Sequence, residues 1–175
     1  FASGEADFTI NVDVPSRRAS PDNPALLSIE SQLQGIALAL PQPLGKSAPD
    51  TRPLALRLPL DRATVPASLS YGDQVSAKFS PDGARVDLVL GGHAATLGDT
   101  DGIRITGRLE SVDVIAWGDA LAHLPTGGAT PPAVVDLDLQ IDRLQIDTLG
   151  LKAVRIQAGH RAPRWRGRID SPDLV

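Results

Sequence analysis

The sequence predicts an all-β fold, and three observations predict it. Aliphatic residues recur with a period of two along most of the chain, 16 glycines and 15 prolines break the runs at short intervals, and only one stretch carries helical spacing. Successive strand side chains point to opposite faces, so each run has one apolar and one polar side. Strands in a parallel sheet covered on both faces read as continuous apolar runs. The alternation here therefore predicts an antiparallel sheet with one wet face.

The elements follow in order. Phe8, Ile10, Val12 and Val14 share a face of Asp7–Val14, and Leu27, Ile29, Ser31 and Leu33 share one further on, followed by Ile36, Leu38 and Leu40. Leu54, Leu56, Leu58 and Leu60 alternate with Ala55, Arg57 and Pro59. Val75, Ala77 and Phe79 precede Val86, Leu88 and Leu90, with Pro81-Asp82-Gly83 supplying hairpin turn chemistry between them. Ile103 and Ile105 lead to Leu109, Val112 and Val114, and Val135, Leu137, Leu139 and Ile141 alternate with Asp136, Asp138, Gln140 and Asp142. The one helix is expected over Ala116–Leu124, where Trp117, Ala120, Leu121 and Leu124 form a single apolar stripe ended by Pro125 and Gly127-Gly128. Ser16–Pro24, Gly45–Pro53 and Gly127–Pro132 read as loops. Leu40-Pro41-Gln42-Pro43 is expected to leave the sheet, because proline cannot donate to a ladder. Leu44 should then tuck against an apolar face and Lys46 should be exposed.

Composition narrows the function. The 175 residues carry a net charge of −4 with mixed signs, whereas phosphate neutralisation favours a basic surface, so nucleic acid is not expected as a partner. No apolar run approaches the ~20 residues of a membrane-spanning helix, and the stretch is expected to be soluble. The absence of cysteine excludes disulfides, thiolate metal sites and a Cys nucleophile, and leaves the redox compartment open. The chain starts at Phe1, contains no Met and stops in mid-pattern at Val175, as expected of one segment, residues 1–175, of something longer.

Aromatics make up only 3% of the chain. Small sandwiches and barrels usually fill their centres with aromatics, so this carpet of Leu, Ile, Val and Ala leaves two readings open. The face packs on a second sheet, or it lines a groove for an apolar ligand. Each methylene removed from water contributes ~0.8 kcal/mol, so a ~16-carbon acyl chain gains on the order of 12 kcal/mol in such a groove.

Nothing in the sequence assembles catalysis. His93, His123 and His160 sit in turns or on the short helix, and there is no Gly-x-Ser-x-Gly elbow, zinc-protease motif or phosphate-cradling loop. Neither an enzyme, a metal nor another cofactor is expected. Asp99-Thr100-Asp101-Gly102 resembles the start of a calcium loop but runs straight into Ile103-Arg104-Ile105, and a hairpin tip explains it. Arg161, Arg164, Trp165, Arg166 and Arg168 form the one basic and aromatic cluster. Strand parity puts Arg164, Arg166 and Arg168 on one face and Trp165, Gly167 and Ile169 on the other, giving a solvated outer face or a contact with anionic lipid headgroups. Tyr71 and Phe79 read as core or groove residues.

The segment Ser31–Lys46, with Leu-Gln-Gly at Leu33–Gly35 and Leu-Pro-Gln-Pro-Leu-Gly-Lys at Leu40–Lys46, resembles the signature of the YhdP-type branch of the AsmA-like proteins. Val112–Trp117 is similar to that family's strand running into a Trp-led helix. Leu139–Leu144, Leu149-Gly150 and Trp165–Ile169 are similar to its C-terminal strand ladder. The resemblance implies a repeating β-groove (a β-taco), a long curved antiparallel sheet with an apolar concave face. It further implies a periplasmic bridge between the inner and outer membranes of a Gram-negative bacterium, anchored in the inner membrane by a segment outside this chain, along which phospholipid acyl chains slide. On this reading the lining residues are Leu38, Leu40, Leu54, Leu56, Leu58, Leu60, Val86, Leu88, Leu90, Leu137, Leu139 and Ile141. The alternative implied by AsmA-like relatives is a structural or assembly module of the envelope, without lipid conduction.

Overall fold

The computed structural model describes residues 1–15, 24–60, 65–123, 134–161 and 163–174. The alternating runs become strands, and each Pro- or Gly-rich break within these residues becomes a turn or loop. The elements are β1 (Ala2–Gly4), β2 (Thr9–Asp13), β3 (Leu26–Ser31), β4 (Ile36–Leu38), β5 (Leu54–Pro59), β6 (Ala67–Tyr71), β7 (Val75–Phe79), β8 (Arg85–Leu90), β9 (Gly102–Asp113), α1 (Val114–Ala122), β10 (Val134–Ile146), β11 (Leu149–Arg161) and β12 (Arg164–Asp170). Ten of the strands form one sheet in the order β12-β11-β10-β9-β8-β7-β6-β5-β3-β2, about 43 Å across at ordinary strand spacing. β1 and β4 form a separate antiparallel pair.

The sheet is mostly antiparallel, with one correction to the expectation: β9 runs parallel to both β8 and β10. Alternation reports that one face is wet; it does not report strand direction. Parallel strands read as continuous apolar runs only where helices cover both faces. Here the segment Gly91–Asp101 carries the chain back from β8 to β9, and α1 lies on the connection from β9 to β10. The expected hairpin at Pro81-Asp82-Gly83 forms, closed by Gly83 N–H to Ser80 O at 2.9 Å and Ser80 N–H to Arg85 O at 2.9 Å.

α1 begins at Val114, two residues before the expected start at Ala116. Asp113 is its N-cap, its carboxylate accepting from Ala116 N–H at 3.0 Å. The helix ends at Ala122. Leu124, the Gly127–Pro132 loop and residues 16–23 of the Ser16–Pro24 loop lie outside the described residues.

Toward one end of the long strands the alternation slips by one residue at the same level in three neighbours. The ladder is interrupted at Asp142, which pairs with neither Glu110 nor Ala153, and Ala153 adopts a φ of +47°. The slip lets residues three apart share a face. Leu109, Ile141, Leu144, Leu151 and Val154 pack there as one buried cluster flanked by Leu90, Val112, Leu139 and Ile156.

Candidate functional site

Directly paired residues of neighbouring strands point to the same face of a sheet, so the register traces one face across all ten strands. From β2 it runs through Ile10↔Ile29, Ile29↔Leu56, Leu56↔Leu69, Leu69↔Ala77 and Ala77↔Leu88. It continues through Leu88↔Ile105, Ile105↔Leu137, Leu137↔Ala158 and Ala158↔Gly167. The face is apolar along this whole path.

Nine of the residues expected to line a groove stand on it: Leu54, Leu56, Leu58, Val86, Leu88, Leu90, Leu137, Leu139 and Ile141. Leu60 follows β5 at its end and is 48% exposed. Leu38 and Leu40 are placed elsewhere, in and just after β4, on the small pair rather than the large sheet. The nine are not equally open. Ile141 is 2% exposed, held within the cluster at the kink, whereas the rest are half-buried or, like Leu58, exposed. Among the described residues no second sheet lies over the face; the other sheet is the two-stranded β1-β4 pair. A cavity of about 590 Å³ opens at one lip, lined by Leu56, Leu58, Leu60, Val65, Ala67 and Phe79 along with the Ser80–Gly83 turn.

The opposite face is charged. Arg108–Asp142 at 2.9 Å, Arg155–Asp138 at 2.7 Å and Arg161–Asp136 at 2.9 Å join neighbouring strands. Such exposed pairs each contribute ~0–1 kcal/mol, and they mark this face as the wet one. The Arg155 hydrogen bond holds the Asp138 carboxyl below its ordinary range. Asp87 is different, being 6% exposed. Burial pushes its carboxyl up, but the Arg104 side chain and the Gly98 N–H at 2.6 Å outweigh burial and leave it below the ordinary value.

The other lip, near Ser31, Leu54 and Tyr71, is held by the Pro-rich segment. Leu40–Pro43 stays outside the strands, as expected from its prolines. Leu44 N–H and Gly45 N–H both donate to Pro41 O, at 3.0 and 3.2 Å. Arg52 Nη1 donates to Pro43 O at 3.0 Å and Gly45 O at 3.2 Å, its guanidinium lies 5.0 Å from the Tyr71 ring centre, and Tyr71 Oη donates to Leu44 O at 2.8 Å. Trp117 of α1 reaches the same turn, Nε1 donating to Gln42 O at 3.1 Å.

Lys46 is not exposed, contrary to the sequence expectation. It is 6% exposed, and its Nζ donates to Leu33 O at 2.8 Å, Ile36 O at 2.5 Å and Ser47 O at 2.9 Å. The tight turn at Leu33 (φ +49°) and Gly35 (φ +95°) leaves carbonyls facing inward, and an ammonium with three donors satisfies them. Nothing in the sequence marks Arg52 or Asp87; parity places Asp87 on the wet face, but the partners that bury it are distant in sequence.

The three histidines stand apart from one another. His93 contacts Gly91 O, His123 contacts Asp119 O, and His160 stacks on Trp165 with ring centres 4.9 Å apart. Among the described residues no three His, Cys, Asp or Glu side chains converge as a metal site, and no helix is long and apolar enough to cross a membrane.

No curated protein and no solved structure matches the chain. One protein-family model, described as YhdP protein, matches residues 1–175. The match spans every strand of the apolar face and the Pro-rich lip that borders it, and the chain belongs to the YhdP family.

Proposed function

We propose that this chain is one segment of a periplasmic lipid conduit in a Gram-negative envelope, whose apolar face carries phospholipid acyl chains between the inner and outer membranes. The observation that carries the reading is the unbroken aliphatic face over ten strands, half-exposed through most of its length and without a second sheet above it among the described residues. Family membership supports an envelope role. Near-uniform aliphatic walls give a hydrocarbon chain similar energies at successive positions, because hydrophobic attraction is non-directional. Barriers between positions are then small, as transport requires, where a deep specific pocket would trap the lipid. No step of this work calls for a catalytic group.

Leu56→Asp in the full-length protein tests it. Leu56 is half-buried and pairs with Ile29 and Leu69 in the middle of the face. Removing its partial burial costs about 1 kcal/mol, and water reaching an open face keeps the new carboxylate hydrated. The expected result is a folded protein by circular dichroism that loses copurifying phospholipid and fails to maintain the outer-membrane barrier. Arg57→Asp, on the wet face, should change neither property. Global unfolding of the Leu56 variant would indicate a closed core. A wild-type protein free of lipid would favour the scaffold role instead.

A further inference from the structure

At the lip where β10 begins and β11 ends, the two faces of the sheet offer different chemistry within one turn of chain. On the apolar face His160 pairs with Trp165 across β11 and β12, their rings 4.9 Å apart, and Trp165 is 60% exposed. On the wet face Arg161 stands directly opposite Arg164, and Gly159 opposite Arg166. Like charges directly opposite on a sheet are destabilising. Asp136 relieves only one of them, gripping Arg161 Nη1 and Nη2 at 3.0 and 2.9 Å. Among the described residues, Arg164 and Arg166 carry no ion pair and no side-chain hydrogen bond. The lip thus joins an amphipathic aromatic pair to two guanidinium groups without a salt bridge of their own, the nearby Asp136 carboxylate being held by Arg161; guanidinium groups are the donors best matched to phosphate oxygens.

We propose that this lip is a headgroup site, binding the anionic phosphodiester of a membrane phospholipid through Arg164 and Arg166 on one face of β12, while its acyl chain passes round that edge strand to lie against Trp165 and His160 on the other. Charge complementarity fixes the sign of the occupant, and the aromatic pair fixes it as a lipid rather than a free anion, since an exposed indole gains from hydrocarbon and not from phosphate alone. The proposal rests on the conduit reading and adds to it a selectivity for anionic headgroups.

The test uses the full 175-residue chain and soluble short-chain lipids below their micelle concentrations. The chain has two tryptophans, so Trp165→Phe assigns which indole N–H resonance belongs to Trp165. Dihexanoyl phosphatidylglycerol should shift that resonance with a Kd about three- to tenfold tighter than dihexanoyl phosphatidylcholine, as two exposed charge contacts allow. Arg164→Ser with Arg166→Ser should abolish that difference, chiefly by weakening phosphatidylglycerol, because the choline cation of phosphatidylcholine already offsets much of the attraction of its phosphodiester. Equal affinities in the wild type, or selectivity that survives the double substitution, would overturn the headgroup site and leave the conduit standing. Inorganic phosphate shifting the Trp165 resonance as strongly as the anionic lipid would overturn the lipid assignment. Binding of neither lipid would overturn both readings.

Discussion

Replacing Lys46 with methionine keeps the apolar stem in place and removes the ammonium from three carbonyl oxygens. The bond to Leu33 O at 2.8 Å is buried, and those to Ile36 O and Ser47 O at 2.5 and 2.9 Å are partly buried. A hydrogen bond to a charged group contributes about 1.5–3 kcal/mol when shielded, and a stranded buried acceptor costs about 1–3 kcal/mol. Weighting the buried bond fully and the other two lightly, and crediting the ammonium's relief from desolvation, gives a loss of about 3 kcal/mol. For a chain of this length that lowers Tm by about 6–12 °C. Urea unfolding followed by far-ultraviolet circular dichroism measures the loss directly. Lys152, which is exposed, provides the control, and Lys152→Met should stay within about 0.5 kcal/mol of wild type. A loss below about 1 kcal/mol for Lys46→Met would show that the Leu33–Ile36 turn holds itself and that the lysine is incidental.

Further outcomes follow from the same reasoning. The Asp87 carboxyl is held below its unfolded value of about 3.9. Its contribution is therefore complete above that value and lost as pH falls through the folded one. Asp87→Asn should cost about 1–3 kcal/mol at neutral pH and flatten the stability–pH curve below about pH 4; an unchanged acid limb would remove Asp87 from the account. Gly107 has φ +146°, and a Cβ there would lie 2.0 Å from Leu90 O, so Gly107→Ala should break the β8–β9 register and cost more than about 3 kcal/mol. Gly118 on α1 has open space, and Gly118→Ala should raise stability by about 0.5–1 kcal/mol. Thermal melts of the two glycine variants in parallel decide between those signs.

Much of the apolar face could be read from the sequence because its physics is local. Alternation along one strand fixes which side chains share a face, and Leu54, Leu56 and Leu58 therefore meet Val86, Leu88 and Leu90 on the same side once the strands pair. What stayed hidden depended on partners distant in sequence. Lysine is almost never fully buried without such partners, and the carbonyls that bury Lys46 belong to Leu33 and Ile36, whose side chains give no sign of them. The direction of β9 depends on where its connections travel, which alternation does not encode. The kink at Asp142 puts Ile141 and Leu144 on one face although their spacing of three argues against it, and that same slip turns an expected lining residue into a packed one.

The parallel placement of β9 also bears on how the chain reaches its native state. β5 to β8 is a run of hairpins, and β10 to β12 is another, so each closes through neighbours in sequence. β9 pairs with both runs only after two crossovers, and pairings that close long loops form slowly. Two locally zipped halves thus meet at a late seam. Pulsed hydrogen exchange during refolding would show amides of Ile103–Gly107 protected after those of Leu69–Phe79; the reverse order would place the nucleus at the seam itself.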